Sequence, residues 1–214
     1  MIGRYKRELL KAYDKLKEPN VDLDIVRIFT GEAEIWREVE HCKTPEEFMK
    51  VISQYLDFRR KITTLDELAQ LPKKTDIYQY GLATGCYNII MPHHVKMLEE
   101  AKTWVEYLIV GINTDESIRA IKPNYMIIPE KERLEIISSL SSVDYVCLLN
   151  YPVEAFTALQ GIADLWFKGG DYTRETVNQP ELKKAEKLGF QLFFTERYEG
   201  TRTQTLIDKL HGIK

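Results

Sequence analysis

Hydrophobic positions recur first at a helical spacing and then, from about Thr63, in short apolar blocks separated by helical stretches. Leu9, Leu10, Tyr13 and Leu16 make one apolar stripe among charged residues, which predicts an amphipathic helix from Met1 to about Lys17, ended by Pro19-Asn20. A second helical stretch is expected from Leu23 to His41, with Gly31 as a breaking point. In the third, Thr44-Pro45-Glu46-Glu47 joins a capping box to a proline at the first helical position and runs into Phe48, Val51, Ile52, Tyr55 and Phe58. None of the three shows any chemistry. Residues 1–62 therefore read as a helical N-terminal extension that buries its stripes on the main domain or on another copy of the chain, the latter being a route to a homo-oligomer.

Beyond Thr63 the pattern alternates. Thr64 to Glu67 is a further capping box, opening a short helix that closes at Pro72, and a strand is expected at Ile77 to Ala83. A helix from Pro92 carries Val95, Leu98, Lys102 and Val105, followed by Tyr107 to Ile112, a continuous apolar run of the kind buried on both faces of a sheet. Thr114 caps a brief helix, and another starts at Pro129 with Leu134, Ile137 and Leu140. Strands at Val143 to Leu149, Leu165 to Phe167 and Phe190 to Thr195 alternate with helices at Val153 to Gln160 and Pro180 to Leu188, which Gly161 and Gly189 end. A last helix is expected from Thr203 to His211. Five strands alternating with helices predict an α/β domain over residues 63–214, a doubly wound, parallel, five-stranded Rossmann-like sheet with right-handed crossovers.

Composition narrows the function. The 214 residues are 44% hydrophobic, enough for a real core, and the formal net charge is -3 with both signs interspersed. There is no basic stripe for nucleic acid or an anionic membrane, so small polar ligands are the expected partners. Three widely spaced cysteines, Cys42, Cys86 and Cys147, indicate neither a disulfide framework nor a zinc ligand set and fit a reducing compartment. With no signal-peptide pattern and no long apolar run, a soluble cytoplasmic protein is expected.

Ligands in doubly wound sheets bind beyond the carboxyl ends of the strands, at the switch point. The polar and glycine-containing clusters fall there: Thr84 to His94, Asn113 to Ser117, Lys168 to Tyr172 and Arg197 to Gln204. In the first, apolar residues run into Thr84-Gly85, a short turn follows, and a helix starts at Pro92. Such a helix start offers unpaired backbone N–H groups and the positive end of the helix dipole, while glycine lets a phosphate approach the backbone. His93 and His94 stand in its first turn.

These residues carry a family resemblance. Gly85-Cys-Tyr-Asn-Ile-Ile-Met-Pro-His-His-Val95 resembles the signature G-[CT]-F-D-x-x-H-x-G-H of the cytidylyltransferase-like nucleotidyltransferases. Further matches follow in order: Glu99-Glu-Ala101, Tyr107 to Gly111, Asn113 to Ser117, Arg133 and Val143-Asp-Tyr145. Lys168-Gly-Gly-Asp-Tyr-Thr173, and Glu199-Gly200 followed by Thr201 and Thr203, are similar to the branch that adenylylates heptose 1-phosphate. The resemblance implies attack of a sugar phosphate or small alcohol phosphate on the α-phosphorus of ATP or CTP, ATP being favoured, with Mg²⁺ accompanying the nucleotide and pyrophosphate leaving. It implies that Thr84, Gly85, Cys86 and Tyr87 lie along the nucleotide and that His94 touches its phosphates. By the same resemblance Lys122 and Arg133 hold phosphates, Lys168, Gly169, Gly170 and Asp171 form a further binding loop, and Thr201, Arg202 and Thr203 cap the nucleotide. No protein ligand is assigned to the metal.

The chain also departs from that pattern. Met91 replaces the first signature histidine, Asn88 the aspartate and His93 the glycine. Tyr125-Met126 stands where an Arg-Pro pair is common, and Arg202 interrupts the Ser-Thr-Thr run. A thioether can neither donate a proton nor carry charge, and His93 either replaces the missing imidazole or fills the phosphate pocket. Three readings stand at this stage: an active nucleotidyltransferase, a pseudoenzyme that binds nucleotide or sugar phosphate, and a scaffold acting through its helical extension.

Overall fold

The computed structural model describes residues 41–56, 58–75, 79–123, 128–200 and 205. The helices expected before His41 and after Thr203 fall, single residues aside, outside them. The chain divides into two compact units, Met1–Arg60 and Lys61–Lys214. In the first, α1 (Pro45–Leu56) starts at the expected capping box: Glu47 N–H donates to Thr44 Oγ1 at 3.2 Å, and the Glu47 carboxylate accepts from Thr44 N–H at 3.3 Å.

The second unit begins by lying along the sheet, since Ile62 bridges to Val146 and Thr63 N–H donates to the Val146 carbonyl. The short helix α2 (Leu65–Leu68) closes the reciprocal Thr64–Glu67 box at 3.2 and 2.8 Å. Five strands follow: β1 (Tyr80–Gly85), β2 (Tyr107–Asn113), β3 (Tyr145–Leu149), β4 (Ala163–Lys168) and β5 (Gln191–Phe194). They are separated by α3 (Pro92–Thr103), α4 (Asp115–Ile121), α5 (Glu130–Ser138), α6 (Pro152–Ala158) and α7 (Gln179–Lys187). All pairings are parallel, in the order β3-β2-β1-β4-β5, the doubly wound arrangement expected. The first strand runs through Gly85, two residues beyond the expected end at Ala83, and its expected start at Ile77 lies outside the described residues.

Alternate residues of each strand feed two cores, because side chains of a strand point to opposite faces. Leu82, Ile109, Cys147 and Trp166 meet Leu68, Phe156 and Leu182 on one face. Ala83, Val110, Val146 and Phe167 meet Leu98, Ala101, Leu134 and Ile137 on the other. In β2 every residue from Leu108 to Asn113 is buried, which is why its sequence shows no alternation. Gly161 and Gly189, at φ 74° and 89°, follow α6 and α7 in the left-handed conformation that ends helices. The order reverses between β1 and β4, so the ends of those two strands mark the switch point.

Candidate functional site

A cleft of about 260 Å³ opens beyond β1 and β4, lined from β1 and its loop by Thr84 to Asn88, from α3 by His93, His94 and Met97, and from the end of α4 by Lys122. Lys168 to Tyr172, following β4, and Thr195, Glu196 and Tyr198, following β5, complete it. Four chain segments far apart in sequence thus converge at the strand ends.

His94 is held by the geometry of the helix start. It occupies the third position of α3, and its Nδ1 accepts the Met91 N–H at 3.0 Å, satisfying one of the donors a helix leaves unpaired. Because Nδ1 is an acceptor, the neutral ring carries its proton on Nε2. Burial, reinforced by the neighbouring His93 and opposed by Asp171, lowers its pKa to about 4. The rings of His93 and His94 lie 4.0 Å apart, and Tyr87 meets His94 edge-on at 5.7 Å. At neutral pH the cleft therefore holds an oriented, uncharged N–H donor.

Lys168, at the end of β4, reaches across the switch point to β1. Its Nζ donates to Thr84 Oγ1 at 3.0 Å and to the Thr84 carbonyl at 3.2 Å, and lies 3.7 Å from the Glu181 carboxylate. The Trp166 indole N–H donates to the same Thr84 hydroxyl at 3.1 Å. Burial lowers the lysine's pKa while Glu181 raises it. With its donors engaged by Thr84 and Glu181, Lys168 presents positive charge to the cleft from a fixed position. Cys86 is held as a thiol by burial, against the pull of Lys122, Arg133 and Lys168.

Arg133 is placed differently from the phosphate-holding role that the resemblance implied. It is 0% exposed and does not line the cleft. Its Nη1 donates to the Cys86 carbonyl at 2.6 Å, Nε to the Ile128 carbonyl at 3.0 Å and Nη2 to Asp115 Oδ1 at 2.7 Å. It clamps the loop after β1 to the starts of α4 and α5. Asn88 belongs to the same brace, its Oδ1 accepting the Ile128 N–H at 3.1 Å.

Gly169 and Gly170 both line the cleft. Neither Gly169 nor Gly170 has a positive φ. A Cβ on Gly170 would lie 2.5 Å from the Thr195 carbonyl oxygen and the Arg197 nitrogen, so glycine is needed for close packing of the β4 and β5 loops, whereas Gly169 has open space. Asp171 faces Arg197 at 3.9 Å. Thr201, Arg202 and Thr203, like Tyr125 and Met126, lie outside the described residues. Among the lining residues, Met97, Thr195 and Glu196 fall outside the strand-end clusters read from the sequence, whereas Tyr172 and Tyr198 fall within them. Position just beyond β5 was the available signal for Thr195 and Glu196.

The five-stranded parallel sheet, with its polar cleft at the switch point, defines this unit as a Rossmann-like domain of the nucleotidyltransferase type. Residues 82–200 match the family described as Cytidylyltransferase-like, and the chain belongs to that family. Among curated relatives, the bifunctional protein HldE of Trichlorobacter lovleyi is 32% identical over 173 residues, covering 78% of this chain and 34% of that protein. HldE of Syntrophotalea carbinolica is 35% identical over 129 residues, covering 59% of this chain and 26% of its own length. This chain thus spans about a third or less of the length of these two relatives. Among solved structures, a lipopolysaccharide core biosynthesis protein from Thermoplasma volcanium is 26% identical, covering 56% of this chain and 98% of that one, with a TM-score of 0.47.

Proposed function

We propose that this chain transfers a nucleoside monophosphate, AMP rather than CMP, from a nucleoside triphosphate to a sugar phosphate or small alcohol phosphate, releasing pyrophosphate. The observation that carries this reading is the convergence of an oriented His94 N–H, the Lys168 charge and Lys122 at the switch point of a domain of this family. The acceptor phosphate is already an anion, so its attack on the α-phosphorus needs alignment and charge neutralisation more than a strong base. His94, uncharged, donates to a phosphate oxygen, and the two lysines offset the charge gathering on the phosphates as the bond to pyrophosphate breaks.

Among the described residues no group of three His, Cys, Asp or Glu side chains is disposed to hold a metal ion. A Mg²⁺ ion arriving with the nucleotide would be held by its phosphate oxygens, hard ligands that the ion prefers, and would supply further charge neutralisation. The similarity of the Lys168 to Thr173 loop to the heptose-adenylylating branch, and the HldE relatives, support ATP and a sugar 1-phosphate as the pair to try first.

A second reading, a binding domain that has lost turnover, is favoured by Met91, whose thioether stands where the signature has histidine. Pyrophosphate release with ATP or CTP and a panel of sugar phosphates decides between them, and a folded protein with no turnover on any pair overturns the first. In that case a nucleotide-dependent rise in melting temperature supports the binding domain, and no rise supports a scaffold. If only the imidazole is missing, Met91→His raises turnover by roughly 100-fold, the typical worth of one such donor.

A further inference from the structure

Tyr87 stands out in the floor of the cleft. It lines the cavity, is 4% exposed, and its hydroxyl oxygen is buried with no hydrogen-bond partner among the described residues. A buried tyrosine ordinarily finds a partner for its O–H, so an orphan hydroxyl on a residue that lines a cavity calls for a ligand atom. The ring cannot turn elsewhere. It packs on Gly85, where an added Cβ would lie 3.1 Å from the ring edge, and His94 closes against it at 5.7 Å. The backbone holds φ at 47°, a conformation bulky residues avoid, which presents the ring inward immediately after β1.

We propose that the Tyr87 hydroxyl is a ligand-binding donor, giving its hydrogen bond to a phosphoryl oxygen bound in the cleft. This rests on the nucleotidyltransferase reading above. Burial pushes the phenol well above the usual tyrosine range, with Tyr172 and Cys86 reinforcing it, so the group stays protonated and donates. Of the other groups on the cavity, His94 Nε2–H, Lys122 and Lys168 are donors or cations that match an acceptor-rich anion, while Asp171 and Glu196 bring carboxylates to its rim. The family signature has phenylalanine here, which fills the same space without a donor; the hydroxyl is an addition made by this chain. Phosphoryl oxygens come either with the nucleotide or with the phosphate acceptor, and the titration below separates the two.

Tyr87→Phe in the full chain keeps the ring and deletes only the oxygen. Its melting temperature without ligand is expected to equal or exceed that of the parent, because an unpaired buried hydroxyl is removed. Calorimetric titration of both proteins with ATP and Mg²⁺, CTP and Mg²⁺, inorganic pyrophosphate, and a hexose 1-phosphate is expected to show about ten-fold weaker binding in the variant for at least one of them. Loss confined to nucleotides and pyrophosphate assigns the hydroxyl to the nucleotide, and loss confined to the sugar phosphate assigns it to the acceptor. Unaltered affinity for every ligand the parent binds overturns this inference alone. A clearly lower melting temperature in the variant also overturns it, by showing that the hydroxyl is bonded within the protein. A parent that binds none of the four overturns both this inference and the nucleotidyltransferase reading.

Discussion

Replacing Arg133 by methionine fills much of the same volume while removing three hydrogen bonds and one charge. The guanidinium is 0% exposed and its contact with Asp115 is 2.7 Å, with the aspartate 18% exposed. Removing one member of a buried ion pair costs about 3–5 kcal/mol, a cost that Arg119, 4.0 Å from the other Asp115 oxygen, offsets in part. Two factors pull in opposite directions here. The carbonyls of Cys86 and Ile128 lose their donors, adding roughly 1 kcal/mol each. Asp115, however, sits in the first turn of α4, where the helix dipole favours its charge, and its backbone N–H is held independently by Glu130 at 2.7 Å. A net loss of about 4 kcal/mol is expected, which for a domain of this size lowers the melting temperature by about 8–16 °C. Thermal unfolding followed by circular dichroism measures it, with nucleotide affinity determined below the transition. Were Arg133 instead a phosphate ligand, the variant would unfold near the parent temperature and bind nucleotide poorly. That result would refute the clamp.

Three further outcomes follow from the cleft. The His94 pKa is lowered from 6.5 to about 4, so between those values the unfolded chain takes up a proton that the native state refuses. Stability therefore falls as pH drops from about 6.5 to about 4 and this contribution is flat outside that window, amounting to at most about 3 kcal/mol because the ring is partly exposed. Denaturant titrations across that range should show a shallower limb in His94→Gln, and identical limbs would contradict the assignment. Gly170→Ala should cost about 2 kcal/mol, as its Cβ meets fixed backbone atoms, while Gly169→Ala stays within about 0.5 kcal/mol, and equal effects would disprove the packing argument. Thr84→Val leaves the Trp166 indole N–H unpaired and takes an acceptor from Lys168, so a loss of roughly 1–3 kcal/mol is expected in chemical denaturation.

Much of the fold was legible because its causes are local. The Thr44 and Thr64 capping boxes, the prolines opening α3 and α7, and the glycines after α6 and α7 each act within a few residues, so their pattern is their mechanism. The alternation of apolar blocks with helical stretches was enough for a parallel sheet, and the position of the polar clusters after the strands was enough for the cleft. His94 was readable for the same reason, since both its place at the helix start and its partner Met91 lie within three residues.

What the sequence determined by itself is thus the α/β architecture, the strand ends that carry the site, and a helix start with a histidine in its first turn. Tertiary structure decided what each polar side chain does there. Two of the three partners of Arg133 are 47 and 18 residues away, and no spacing rule distinguishes a guanidinium that binds phosphate from one consumed by two carbonyls and a carboxylate. Gly170 is set by the backbone of Thr195 and Arg197 beyond the end of β5, and Lys168 is tied to Thr84, 84 residues earlier, by the crossover that brings β4 beside β1. Burial changes these groups further: it keeps His94 neutral and Tyr87 protonated, and it leaves the tyrosine's hydroxyl unpaired in the floor of the cleft. Desolvation and long-range pairing are properties of the packed chain, and only the packed chain could assign them.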